Sequence, residues 1–268
     1  MITSPHNEKL KLVRKLAERR HRDREGCFVT EGEDLLEAGL LAGAEPRFVL
    51  CVPGFDAAGA EEVEPELLRG VSTLGSGSRV IAVWEQRWVE PAGPVCLYLD
   101  AVGDPGNVGA IIRTADALIE GCVAIGPGTA DPYGPKAVRA AMGSLFARPP
   151  ARAAAPPSDG ERDTLAGLPR PMVGLVAHGG SAAELPPAPL TLCLGSERDG
   201  LSAEALAACE ATYTLPTRPG GAESLNVAAA AAICCERVSS PFVPAVADPA
   251  SAPEGDNQPP TPSPEGGQ

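Results

Sequence analysis

VCLYLDAVGDPGNVGAIIRTADAL, residues 95–118, decides the fold. Five apolar residues, 95–99, run into a loop with two glycines, and apolar positions at helical spacing, with a third glycine at 109, follow over 108–118. A short apolar strand that turns through glycines into a helix is the repeating unit of a parallel sheet covered on both faces. The unit recurs downstream. Residues 122–125 read as a strand and 135–142 as a helix, with further strands over 172–177, 190–194 and 212–215. A helix over 201–209 separates the last two strands, and a final helix over 224–238 is carried by the alanines at 228–232. Alanine is the best helix former, and its smooth face permits close backbone contact. The fold class is therefore α/β with a largely parallel sheet.

Working outward toward the N-terminus, the same alternation appears on a smaller scale. Ser4 and Pro5 look like a helix start, with Ser4 as candidate cap, and Leu10, Val13 and Leu16 form a helical stripe. Cys27-Phe28-Val29 is an apolar run, and Leu35, Leu36, Leu40 and Leu41 mark a second helix. Residues 47–52 and 80–84 read as strands, and 61–68 as another helix. Glu90-Pro-Ala-Gly-Pro94 reads as a linker. The expected division is a small α/β domain over 1–90, a larger domain over 94–240, and a disordered acidic, Pro-rich tail over 241–268. The Pro/Ala-rich stretch 149–157 is a loop or hinge.

Of 268 residues, 44% are hydrophobic but only 4% aromatic, so the cores must be packed from small and branched aliphatic side chains. No apolar run reaches the length of a transmembrane helix, and residues 1–10 lack the apolar stretch of a signal peptide. The eight cysteines form no C-x-x-C pair, and no histidine cluster supports a metal site. They read as buried thiols in a reducing cytoplasm. A net charge of −13 argues against a general nucleic-acid coating protein. The charge is uneven, however: eight cations crowd residues 9–24, Lys9, Lys11 and Arg14 among them, and a local basic surface on an acidic protein can still bind RNA.

In open parallel sheets, ligands bind beyond the carboxyl ends of the strands. Three strands here end in unusual loops. In the first, Gly103, Gly106 and Gly109 let backbone approach a ligand, yet they do not form the dinucleotide fingerprint G-x-G-x-x-G. Asn107 sits where a helix cap would sit. Arg113 lies in the helix among apolar neighbours, free for a ligand or paired with Asp116 or Asp104. The second loop, Gly195-Ser-Glu197-Arg-Asp-Gly200, sets a carboxylate between glycines, either functional or a solvated loop charge, and Ser202 is a plausible cap beyond it. The third carries Ser224, which suits a cap, and Asn226, a poor residue just inside a helix and so suggestive of a polar task.

Together, in this order and spacing, Asp104-Pro-Gly-Asn-Val-Gly-Ala-Ile-Ile-Arg113, Leu194-Gly-Ser-Glu-Arg-Asp-Gly-Leu201 and Glu223-Ser-Leu-Asn-Val-Ala228 resemble the three motifs of the SpoU (TrmH-like) branch of the SPOUT methyltransferases. Asp131-Pro-Tyr-Gly-Pro-Lys136 and Arg139-Ala-Ala-Met-Gly143 extend the likeness, which covers roughly residues 95–238. Gly134 and Ala141 depart from it, standing where relatives often carry serine. The front segment is similar to the L30e-like substrate-binding domain of rRNA-modifying members, through Ser4-Pro-His-Asn-Glu-Lys9 and Phe28-Val-Thr-Glu31-Gly32. The resemblance implies a trefoil knot, a homodimer, S-adenosylmethionine as methyl donor without metal, and methylation of a ribose 2′-hydroxyl in RNA. The front domain favours rRNA over tRNA. A non-catalytic RNA-binding factor on the same fold would be expected to have lost Arg113, Glu197 or Asn226.

By that resemblance Gly195, Leu215 and Leu225 hold the donor, and Arg113, Asn107, Glu197, Ser224 and Asn226 form the catalytic set. Lys9, Lys11, Arg14, Lys136 and Arg139 are the expected RNA contacts. None of the three histidines falls in these loops, so the usual general base is missing. Arginine holds its proton too strongly to act as a literal base. Binding the phosphate beside the target ribose and stabilising oxyanion charge suits Arg113 better.

Overall fold

The structure is a computed structural model that describes residues 1–152, 165, 167–221 and 224–239. The expected tail over 241–268, most of the expected hinge at 149–157, and Glu223 of the third motif lie outside the described residues.

Two sheets organise the chain. In the first, β1 (Cys27–Glu31), β4 (Val80–Glu85), β2 (Phe48–Cys51) and the short β3 (Glu61–Glu62) lie in that order. β4 is antiparallel to both β1 and β2. The period of two sorts side chains between two cores. Leu50, Ile81 and Val83 face α1 (Glu8–Leu16) and α4 (Pro65–Arg69), where Leu10, Val13, Leu16 and Leu68 are buried. Each such fully buried aliphatic side chain contributes about 1.5–3 kcal/mol. Phe28, Val49 and Trp84 point the other way, toward α3 (Glu33–Leu41) and the second sheet's helices.

The second sheet is parallel throughout, in the order β10 (Ala211–Tyr213), β8 (Met172–Leu175), β9 (Leu190–Leu194), β5 (Val95–Leu99), β6 (Val123–Ile125) and β7 (Ala151–Arg152). One face, with Leu97, Leu99, Leu192 and Leu194, packs under α5 (Pro105–Leu118) and α9 (Val227–Val238). The other, with Cys96, Tyr98 and Cys193, lies under Leu201 and Ala205 at α8 (Ala203–Ala208). The double covering explains why these strands are apolar along their whole length.

The few aromatic residues concentrate where the two sheets' layers meet. Phe28 stands 4.8 Å from Tyr133 and 5.8 Å from Phe146, and Trp84 meets Phe146 edge-on at 4.7 Å. Beside them the buried Arg22 pairs with Asp131 at 2.7 Å and donates to the Leu16 and Ala17 carbonyls. Replacing either member of such a buried pair alone leaves an uncompensated charge. The front unit is thus joined to α6 (Pro135–Ala141) and α7 (Ser144–Ala147) through one shared core.

Several local expectations are corrected. The first helix is capped by Asn7, whose side chain accepts from Lys9 N, and not by Ser4. The cations of residues 9–24 lie on two helices, because α2 (Arg19–Glu25) starts afresh after Glu18. The segment 61–68 is β3 followed by α4, as Pro65 suits the first turn of a helix and opens α4 there. Leu40 and Leu41 are exposed. Gly109 has a packing role: a Cβ there would overlap the Ala137 carbonyl, so its bareness lets α5 and α6 cross closely.

Candidate functional site

The carboxyl ends of β8, β9 and β10 open into a cleft of about 650 Å³, a size typical of small-molecule sites. Gly195, Leu215 and Leu225, the three residues expected to hold a donor, all line it. So do Leu206, Val227 and His178, which residue type alone did not single out. Its second loop is a tight hairpin. Ser196 N donates to Gly200 O at 2.9 Å, Gly200 N returns a bond to Ser196 O at 3.1 Å, and Ser196 Oγ accepts from Asp199 N. Asp100, buried at the end of β5, accepts from Ser202 N at 2.6 Å and ties the far side of this loop to the strand. Ser202 caps α8 as expected.

At the mouth of the cleft the three loops meet through side chains. Asn226 Nδ2 donates to Asn107 Oδ1 at 3.1 Å, and Asn107 Nδ2 donates to Glu197 Oε1 at 2.7 Å. At the other end Asn226 Oδ1 accepts from Ala228 N and Ala229 N. An ionised carboxylate only accepts, and helix N–H groups only donate. A relay between two such ends can run in one direction alone, so the orientation of both amides is fixed. Each bond adds only about 1 kcal/mol of net stability. Its value is directional: residues 107, 197 and 226 are held as one unit.

The relay revises two assignments. Asn107 is not the cap of α5; Asp104 is, accepting from Gly106 N at 2.7 Å and Asn107 N at 3.1 Å. Asn226 is not inside α9 but caps it. Its apparent misfit as an interior residue reflects a helix that starts at Val227, not at Ser224. Ser224 is exposed and lines the cleft without joining the relay.

Arg113 is exposed on α5, outside the cleft lining, and makes no ion pair or hydrogen bond among the described residues. Neither proposed acidic partner takes it. Asp104 pairs with Lys136 at 2.6 Å, and Asp116 lies 3.5 Å from Arg148. The remaining expected RNA contacts are largely engaged. Lys9 pairs with Glu61, Lys11 with Glu8 at 2.7 Å, Arg14 donates to Pro5 O at 3.0 Å, and Arg139 donates to Thr73 Oγ1 at 3.2 Å. Exposed pairs of this kind hold weakly and exchange readily for phosphate.

The Lys136 hydrogen bond and the two backbone N–H groups hold the Asp104 carboxyl below the usual aspartate range. Asp104→Ala should therefore cost about 1 kcal/mol of stability at neutral pH, the worth of a helix cap. A group with a depressed folded pKa contributes fully above its unfolded value, about 3.9, and loses that contribution as pH falls through the folded value. Urea unfolding of wild type and variant should show the gap at pH 7 and its narrowing as pH falls below the unfolded value of about 3.9. A gap independent of pH contradicts this role of Asp104. Among the described residues no three His, Cys, Asp or Glu side chains gather as metal ligands, and no helix is long and apolar enough to cross a membrane.

Comparison with known proteins places this geometry. Residues 94–236 match the SpoU rRNA Methylase family, and residues 7–87 match the MRM3-like substrate binding domain. The 23S rRNA (guanosine(2553)-2′-O)-methyltransferase RlmP of Bacillus subtilis is 32% identical over 87% of this chain and 96% of its own length. The SpoU methyltransferase AviRb of Streptomyces viridochromogenes, solved in complex with the cofactor AdoMet, is 26% identical with a TM-score of 0.72, over 87% of this chain and 97% of its own. An rRNA methyltransferase from Sinorhizobium meliloti is 26% identical with a TM-score of 0.73, over 88% of this chain and 96% of its own.

Proposed function

Because this chain belongs to the SpoU rRNA methylase family, we propose that it transfers a methyl group from S-adenosylmethionine to a ribose 2′-hydroxyl of rRNA. The observation that carries the proposal is the Asn226–Asn107–Glu197 relay, which joins all three motif loops at the mouth of one cleft. The cleft suits such a donor. Backbone at Gly195 and apolar side chains at Leu206, Leu215 and Leu225 offer an adenosine-sized surface, and the relay edges it with polar groups.

When bound, S-adenosylmethionine supplies an already activated sulfonium methyl. The protein's task is then alignment and relief of the hydroxyl proton. Asn107, held by Glu197 and Asn226, positions the ribose. Arg113 grips the adjacent phosphate and stabilises the charge growing on the 2′-oxygen, whose proton passes to that phosphate or to water. Ser224 contributes a hydroxyl beside the cleft. Residues 1–90 act as the RNA-binding unit through Lys9, Lys11 and Arg14, joined by Lys136 and Arg139 of α6; all five release their present partners to phosphate. Residues 94–240 form the catalytic unit, in which α9, packed against α5, is the segment threaded through a trefoil knot.

The protein acts as a homodimer. Arg113 is exposed and outside this chain's own cleft, so a second copy packed across α5 and α9 completes the site. The cytoplasm is the proposed location. All eight cysteines are free thiols, and burial pushes Cys234 up to about 11 and Cys235 up to about 12, which keeps them protonated and unreactive.

The first test needs no RNA. Calorimetry of the purified protein with S-adenosylmethionine under saturating chelator should give a saturable heat. No detectable heat at about millimolar donor, a weak-binding limit of roughly 4 kcal/mol, would overturn the donor site.

A further inference from the structure

We infer that Arg198 and Arg218 form, with Arg113 of a second copy of this chain, a phosphate-gripping rim that holds the RNA backbone on either side of the reacting ribose. This deepens the methyltransferase reading and rests on it. The chain carries 35 acidic against 22 basic residues, so almost any exposed cation has an acid within reach. Most of them use one: Lys9, Lys11, Arg69, Arg79, Lys136 and Arg170 all lie in surface ion pairs. Only the side chains of Lys15, Arg87, Arg113, Arg198 and Arg218 make no ion pair, hydrogen bond or ring contact among the described residues. Three of these five belong to the three motif loops or the helix that follows one.

Arg198 is the sharpest case. It is exposed between Glu197 and Asp199 in the hairpin, yet pairs with neither. Glu197 Oε1 is engaged by Asn107, and Asp199 N is turned inward to Ser196 Oγ. The hairpin cannot relax to change this, since Gly195 abuts the Gly200 carbonyl. Arg198 lines the cleft mouth, and Arg218 follows Thr217, which lines the opposite loop. Both are exposed, and Arg218 is outside the cleft lining, so the pair faces a ligand larger than the cleft's own occupant. A planar guanidinium left without an acid in an acidic protein suits a phosphate diester, which it grips through two parallel bonds.

The test is the salt dependence of binding to a fluorescently labelled 23S rRNA transcript, from about 50 to 400 mM KCl, for wild type and Arg198→Gln/Arg218→Gln. Each phosphate contact to single-stranded or duplex nucleic acid contributes about 0.7–0.9 to the slope of log affinity against log salt. The double variant should lower the slope by about 1.5 and weaken binding roughly thirtyfold near 0.1 M salt. The melting temperature should match wild type, because neither side chain holds a partner among the described residues, and calorimetric affinity for S-adenosylmethionine should be kept, because Arg198 stands at the cleft's mouth and Arg218 outside its lining. An unchanged slope in a variant whose wild type methylates RNA overturns the rim and leaves the enzyme reading intact. Lost donor affinity with an unchanged slope also overturns it, assigning Arg198 to the donor's carboxylate. A wild type with neither donor heat nor methylation would sink the underlying reading instead.

Discussion

Arg113→Ala should lower single-turnover methylation about a hundredfold to a thousandfold, the loss typical of one preorganised donor to a developing oxyanion. Donor affinity should be unchanged, because Arg113 is exposed and outside the cleft lining. The fold should also persist, since no acid or carbonyl among the described residues takes this guanidinium. Arg113→Lys should recover only part of the rate, as a point charge replaces a planar fork. The pH profile separates two mechanisms. An arginine that removed the proton itself would give a rate still rising at high pH, and lysine would shift that rise toward its own lower pKa. Electrostatic stabilisation leaves the shape of the profile common to both proteins and changes only its height. Full activity in Arg113→Ala would remove Arg113 from the mechanism altogether.

Gly195→Val should abolish donor binding in calorimetry. Gly195 ends β9 and lines the cleft, and a Cβ there would overlap the Gly200 carbonyl and the Leu201 amide. The obstruction is the chain's own hairpin, not the approach of a ligand. Valine must therefore open the Ser196–Gly200 bonds and displace Glu197, which breaks the relay to Asn107. Overpacking of this kind also costs about 1–3 kcal/mol of stability, so a modest fall in melting temperature should accompany it. Wild-type donor affinity in the variant would show that the hairpin geometry does not matter for the donor.

What was legible in the sequence followed from local physics. Apolar runs found the parallel strands, and the Leu10, Val13, Leu16 stripe found α1. The helix α2 was invisible because its seven residues, RRHRDRE, contain no apolar periodicity at all. Helix starts were misplaced where two candidate caps stand two or three residues apart: Ser4 and Asn7, Asp104 and Asn107, Ser224 and Asn226. Pro105 marked the first turn of α5 and so pointed to Asp104, a signal that the choice of Asn107 passed over. The docking of the front unit through Phe28, Trp84, Tyr133 and Phe146 depends on contacts between distant segments, which periodicity cannot supply. The candidate site was legible mainly through the family resemblance. Its three motifs named Asn107, Glu197 and Asn226, whereas the direction of the relay and the engagement of Lys9, Lys11 and Lys136 by acids are three-dimensional facts.

The central claim is chemical: the methyl goes to ribose, in rRNA. Its most direct test incubates the protein with methyl-labelled S-adenosylmethionine and rRNA lacking the modification, then digests the RNA to nucleosides and separates them. The label should appear in a 2′-O-methyl nucleoside, at one position that resists alkaline cleavage, and Arg113→Ala should remove it. Label on a base, or no label from a protein that binds the donor, would contradict the account.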